Sequence, residues 1–267
     1  MAKRLDEYHR KRDFSRTPEP HGSVGTERSH ERFFCVQKHL ASHLHYDFRL
    51  EHDGVLLSWA VPKGPSLDPK TKRLAMQTED HPLDYGEFEG VIPEGYGAGI
   101  VMLWDKGTWT PDVPDVDAAL RKGDLKFTLN GYKLKGSWVL VRTGGRFAGA
   151  RGGDGNGRSW LLIKHRDEWS GELDIAAFAP RSVKSDGDFE DILAADTPAV
   201  WLSNRPAATS STGAMLATLV ERVAKLKADQ ATSPTPTRRR AGRRASPASG
   251  SPAPARKRRT DGRTRRR

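Results

Sequence analysis

After a charged, proline-containing lead-in to about His30, the chain runs as short segments in which apolar and polar residues alternate, separated by turn residues. A period of two belongs to a strand with one face buried. In "RFFCVQKH" Phe34 and Val36 fall on one face and Cys35, Gln37 and His39 on the other. In "HLHYDFRL" Tyr46, Phe48 and Leu50 oppose His43, His45, Asp47 and Arg49. Strands over His43–Glu51 and Val55–Pro62 flank His52-Asp53-Gly54, whose Asp and Gly tolerate the positive φ of a tight hairpin. "AGIVMLWDKGTW" and "RSWLLIKH" read as two more strands, and Leu125–Leu129 with Tyr132–Arg142 as a second hairpin turning at Asn130-Gly131. Seven glycines between Gly144 and Gly157 make a loop. Helical patterns are few: Asp115–Lys122 stopped by Gly123, and a last amphipathic helix marked by Leu216, Leu219, Val220, Val223 and Leu226. The pattern predicts a mainly β fold, a compact antiparallel β-barrel or sandwich with a few peripheral helices.

The polar face of "HLHYDFRL" changes the picture from architecture to chemistry. Solvated strand faces usually carry Lys, Glu, Ser and Thr, whereas this one carries two imidazoles, a carboxylate and a guanidinium. Imidazole and carboxylate suit first-row divalent metals, and residues i and i+2 of a strand can reach one ion. His45-x-Asp47 meets that spacing, and His39, beyond a bend at "LAS", can supply a third ligand. Arg49 lies one step further along the same face, where its fork can hold an anion beside the metal. Two other readings stay open at this point: an amphipathic strand with its polar face in water, and, with His81 as the distal ligand, the facial triad of a non-haem iron oxygenase.

"QTEDHPLDYGEFEGVIPEGYGAG" places His81 and Tyr85 in a glycine-rich loop, where site residues concentrate. Gly95, Gly97 and Gly99 read as a turn between strands, because the segment that follows is β-like and lacks the helix of a nucleotide fingerprint. "KSDG", Lys184–Gly187, contains the core of the Lys-x-Asp-Gly motif of nucleotidyltransferase ligases, but too little structured sequence follows to form a nucleotide-binding domain.

Charge divides the chain. Residues 231–267 hold twelve Arg and one Lys against Asp261, a net +12, while the whole chain is +11, which leaves −1 for residues 1–230. The same stretch lacks Val, Ile, Leu, Met and aromatic residues, so it is expected to be a disordered basic tail. Such a polycation binds nucleic acid through phosphate neutralisation, without sequence preference. Cys35 is the single cysteine, which excludes an intramolecular disulfide, and no apolar run approaches the ~18 residues that cross a membrane. The composition predicts a cytoplasmic, nucleoid-associated protein without membrane contact.

"FCVQKHLASHLHYDFRLEHDGVLLSWAVPKGPS", "HPLDYGEFEGVIPEGYGAG" and "WLLIKHRD" together resemble the 3′-phosphoesterase domain of bacterial DNA ligase D, over roughly Tyr8 to Asp191. The resemblance implies a small β-barrel and a free-standing member without polymerase and ligase domains. It also implies manganese-dependent end healing, with other divalent transition metals as substitutes. A terminal ribonucleoside is removed to leave a 3′-phosphate, and the phosphate is removed to leave a 3′-hydroxyl. Carried over residue by residue, the metal ligands fall on His39, His45 and Asp47. Catalytic positions fall on Arg49, Lys63, Arg73, His81 and Tyr85, with His81 in reach of a neutral-range pKa as proton donor. Phosphate or substrate contacts fall on Gln37, Arg12, Asp13, Glu19 and Glu79. One departure is His43, where the family usually has Arg.

The expected partners are DNA primer-template 3′ ends, including those with terminal ribonucleotides, and an end-joining ligase or end-binding protein. A non-catalytic DNA-end-binding or ligase-recruiting module is the alternative. The expected organisation is a lead-in over 1–30 that contributes site residues, a phosphoesterase barrel over 31–195, a helical extension over 196–230 and the tail over 231–267.

Overall fold

The computed structural model describes residues 2–15, 17–24, 31–92, 96–143 and 157–195, and residues 218, 220–225 and 228 nearer the C-terminus. The predicted arginine-rich tail and most of the glycine loop lie outside the described residues. So do Leu216, Leu219 and Leu226 of the last predicted helix.

Ten strands form one antiparallel sheet: β1 (Arg32–Leu40), β2 (Leu44–His52), β3 (Val55–Val61), β4 (Arg73–Gln77), β5 (His81–Pro82), β6 (Gly90–Ile92), β7 (Gly99–Pro111), β8 (Asp124–Gly131), β9 (Lys135–Arg142) and β10 (Ser159–Lys164). Eight of them run in the order β1-β2-β3-β4-β10-β9-β8-β7, and β7 pairs back onto β1, so the sheet closes into a barrel. The mainly β barrel read from the alternation is the observed fold. The short β5 and β6 hang on β3 and β7 outside the ring.

The barrel interior is aromatic. Phe48 lies between Phe127 and Trp59, with centroids 5.8 and 6.5 Å away, and Trp59 meets Trp160 edge to face at 6.0 Å. These rings, with Phe34, Val36, Leu50, Leu125, Trp138 and Leu162, are buried, and each sits on the apolar phase of its strand. Filling the barrel this way turns the opposite phase of β1 and β2 outward, which carries Gln37, His39, His45, Asp47 and Arg49 to the outer wall.

Local signals placed several elements. Asp53 and Gly54 take φ of 48° and 74° in the β2–β3 turn. The helix α1 (Asp6–Arg10) opens the chain, and α2 (Val116–Lys122) is capped by the Asp115 side chain on Ala118 N and stopped by Gly123 at φ 82°. Two short helices follow, α3 (Ile175–Phe178) and α4 (Phe189–Ala195). Residues 220–225 are helical, with Val223 buried in the core and Val220 half exposed.

The second hairpin differs from its prediction. Asn130 and Gly131 are in β8, paired with Lys135 and Gly107, and the turn lies at Tyr132–Leu134. The buried Asp105 carboxylate accepts from Lys133 N and Leu134 N at 3.0 and 2.8 Å and fixes the bend there. Gly131 is needed for close approach: a Cβ would come within 2.5 Å of the Phe34 ring.

The N-terminal segment lies across the outer wall as a strap. Leu5 and Tyr8 are buried against the core, Tyr8 donates its hydroxyl hydrogen to Pro20 O, and Arg4 pairs with Asp53 at 3.0 Å. The strap and the outward face of β1–β3 enclose the site.

Candidate metal centre

His39 and His45 are directly opposed across the β1–β2 pair, with ring centroids 4.7 Å apart. Asp47 stands one rung along, opposite Gln37. His39 Nδ1 and His45 Nε2 each lie 3.6 Å from an Asp47 oxygen, and one donor atom from each residue falls within 4.8 Å of the others. Ligands bound at about 2.1 Å to a shared ion are separated by roughly 3–3.5 Å, so the three residues fit a divalent metal with little movement.

The second nitrogen of each ring supports that fit. His39 Nε2 donates to Gly97 O at 2.9 Å, and His45 Nδ1 donates to His43 O at 3.0 Å. A carbonyl can only accept, so each of these nitrogens carries a proton, and the other nitrogen of each ring is the one turned toward Asp47. Burial opposes the charge on Asp47, but Arg49 beside it and the two imidazoles outweigh burial and hold the carboxyl well below the usual carboxylate range.

Arg49 adjoins the trio, and every edge of its fork is placed. Nη2 donates to Asp47 Oδ2 at 3.1 Å, Nη1 to Ser58 Oγ at 2.7 Å and Nε to Gln37 Oε1 at 2.8 Å. The Tyr85 ring lies under the guanidinium at 4.8 Å. Gln37 is wholly buried, and its amide also donates to Tyr85 O and Phe88 O. Gln37 thus stands behind Arg49 and holds it, rather than facing a substrate.

The strap brings a second guanidinium to the cleft. Arg12 donates to Glu19 at 2.8 Å and to Glu79 at 3.2 Å, and its Nη2 lies 3.1 Å from His81 Nε2. Lys11 reaches the other Glu79 oxygen at 2.9 Å. The cleft that both guanidinium groups line has a volume of about 220 Å³.

Nine of the thirteen predicted site residues line this cleft: Arg12, Glu19, His39, His45, Asp47, Arg49, Glu79, His81 and Tyr85. The other four do not. Gln37 is behind the wall, Asp13 is exposed and caps Ser15, and Lys63 is exposed in the turn after β3. Arg73 opens β4, with its buried Nε unpartnered among the described residues. Sequence reasoning missed Ser58, Thr78 and Tyr96. Ser58 left a readable sign, being the one polar residue inside "VLLSWAV".

The neutral-range pKa expected of His81 is not what its surroundings produce. Burial first, then Arg49 and Arg12, push it well below the ordinary histidine value. Its Nδ1 faces Glu79 O at 2.9 Å and its Nε2 receives a hydrogen bond from Arg12, an arrangement for a neutral ring. His81 also stands apart from the metal trio, whose third member is His39. A second His-Asp group, His52, Asp53 and Asp117, is occupied by Arg4, whose guanidinium lies 3.0 and 3.8 Å from the two carboxylates.

Residues 37–142 match the DNA ligase D 3′-phosphoesterase domain. The chain is 54% identical over 180 residues to a multifunctional non-homologous end joining protein LigD of Pseudomonas aeruginosa, an alignment covering 65% of this chain and 20% of that protein. It is 45% identical over 146 residues to the corresponding LigD DNA repair protein of Mycobacterium tuberculosis, covering 54% of this chain and 19% of that one. A LigD protein of Mycolicibacterium smegmatis is 37% identical over 174 residues, 63% of this chain and 21% of its own length. The chain thus matches about a fifth of the length of these relatives. It is through residues 37–142 that the chain is similar to the DNA ligase D 3′-phosphoesterase domain family.

Proposed function

We propose that this chain is a manganese-dependent 3′-end phosphoesterase that prepares DNA ends for joining, at work in the cytoplasm on nucleoid DNA. It removes a 3′-terminal ribonucleoside, a 3′-phosphate or both, leaving a 3′-hydroxyl. The observation that carries the reading is the His39-His45-Asp47 trio sharing one cleft with Arg49. A manganese ion held by the trio supplies Lewis acidity toward a non-bridging phosphate oxygen.

The protein groups then have distinct tasks. Arg49 and Arg12 both line the cleft and stabilise the charge that develops as water attacks phosphorus and the bond to the leaving oxygen breaks. His81 is the candidate proton donor to the leaving oxygen, a role that requires Arg12 to turn from Nε2 to the phosphate and leave that nitrogen free to take a proton. Gln37 and Ser58 hold Arg49; Glu19 and Glu79 hold Arg12. Lys63 and Arg73 serve the DNA flanking the cleft. The +12 segment over 231–267 tethers the enzyme to phosphate backbones, and an end-joining ligase or end-binding protein takes over the healed end.

The test is a primer-template bearing one 3′-terminal ribonucleotide, incubated with manganese and resolved on a gel. The wild type yields the 3′-phosphate and 3′-hydroxyl products, and His45→Ala and Asp47→Ala yield neither. Tight end binding with no product under several divalent metals would instead establish a non-catalytic end-binding module.

A further inference from the structure

We propose that Tyr96 is a stacking platform for the terminal base of the DNA end, and so sets which ends the enzyme prefers. The inference rests on the phosphoesterase reading of the cleft. The first observation is size. A cleft of about 220 Å³ is smaller than the usual range for small-molecule pockets, about 300–1,000 Å³. It accepts a phosphate with part of a sugar, so a nucleoside attached to that phosphate must carry its base out to the mouth.

The second observation is what stands at the mouth. Tyr96 lines the cleft and is 50% exposed, unlike Tyr85 and Tyr8, which are buried. It is joined to the metal side, because the next carbonyl, Gly97 O, receives the His39 Nε2 hydrogen bond. It is joined to the strap as well: Lys11 Nζ sits 4.5 Å from its ring centroid, held there by Glu7 and Glu79 at 3.0 and 2.9 Å. The Arg12 guanidinium lies 5.8 Å from the same ring centroid, so two cations fix it while the residue as a whole stays half exposed.

The third step is chemical. Every base has a π-face, so stacking on an aromatic side chain is tolerant of sequence, as an end-processing enzyme requires. Bases inside a duplex are covered on both faces by their neighbours, while the terminal base has one face free. On a primer ending in a ribonucleotide, that base belongs to the nucleoside beyond the phosphate at the metal trio. The assigned occupant is this terminal ribonucleoside.

The experiment is a two-by-two comparison of KM with the full-length protein and manganese. Wild type and Tyr96→Ala are each assayed on a primer ending in a normal ribonucleotide and on one ending in an abasic ribose. Wild type is expected to show a KM about tenfold to a hundredfold lower for the base-bearing end, a preference that collapses toward one in Tyr96→Ala and survives in Tyr96→Phe. With 2-aminopurine as the terminal base, its emission on binding is expected to differ between wild type and Tyr96→Ala and to match between wild type and Tyr96→Phe. An undiminished preference in Tyr96→Ala, or no preference in wild type, overturns the stacking role. No turnover of either primer by wild type overturns the phosphoesterase reading instead.

Discussion

The imidazole of His45 is oriented by the backbone of its neighbour: Nδ1 donates to His43 O at 3.0 Å, and Nε2 is left facing Asp47. The His43 side chain is exposed, and only its carbonyl takes part. The position singled out in the sequence as a departure from the resembled family therefore contributes an atom that every residue possesses. His43→Arg is expected to leave manganese affinity as in the wild type. His45→Ala is expected to lower it by at least about tenfold to a hundredfold, the range seen even for loss of groups that merely orient a ligand. Titration followed by the Mn(II) paramagnetic signal distinguishes the two.

Metal binding to the native state also registers as stability. Manganese at a hundredfold excess over its dissociation constant is expected to add about 2.7 kcal/mol to the wild type. For a domain of this size that corresponds to a rise of roughly 5–10 °C in Tm, reversed by a chelator. Asp47→Ala should show no such rise, and thermal unfolding with and without manganese reads both.

Gln37 ties three parts of the site together: it accepts from Arg49 Nε and donates to two carbonyls of the segment around Tyr85. Gln37→Ala strands these buried groups, at a cost of about 1–3 kcal/mol. A lower Tm is expected together with a fall in kcat, since Arg49 loses the contact that aims it. Gln37→Glu keeps the acceptor for Arg49 but removes both donations, so it is expected to retain more kcat than Gln37→Ala. Thermal melts paired with steady-state kinetics check this.

Much of the site was legible because its residues are neighbours on alternating strands. The period-two pattern placed Gln37 and His39 on one face of β1 and His45, Asp47 and Arg49 on one face of β2, and the register sets His39 against His45. The strap was legible only through the family resemblance, since no local pattern reveals that Arg12 reaches Glu79, 67 residues away. The same limit hid the second turn. Asn130-Gly131 has hairpin chemistry, but the Asp105 carboxylate, 28 residues back from Lys133, decides where the chain bends. The lowered pKa of His81 escaped for a related reason, because burial first, and then two guanidiniums from distant segments, produce it.

Asp105 predicts a pH dependence of stability. Burial, opposed by the N–H groups of Leu134 and Lys133, raises its pKa from 3.8 to about 6. Between those values the folded state binds more protons than the unfolded state, so this group's contribution falls as pH rises from about 4 to 6 and then levels off. The loss is on the order of 3 kcal/mol. Asp105→Asn removes the titration, so the stability of wild type relative to the variant is expected to be higher at pH 4 than at pH 7. Urea unfolding of both proteins across that range tests the sign.

The strap makes the candidate site a composite of two stretches of chain that ribosomal synthesis delivers at different times. The metal trio closes within a single hairpin, whereas the opposite wall needs Arg12 and Glu79 to meet across the whole outer surface. On the proposed phosphoesterase reading, capture of an ion and competence for chemistry are therefore separable, and a chain whose strap has not docked is expected to keep the ligand trio while lacking turnover.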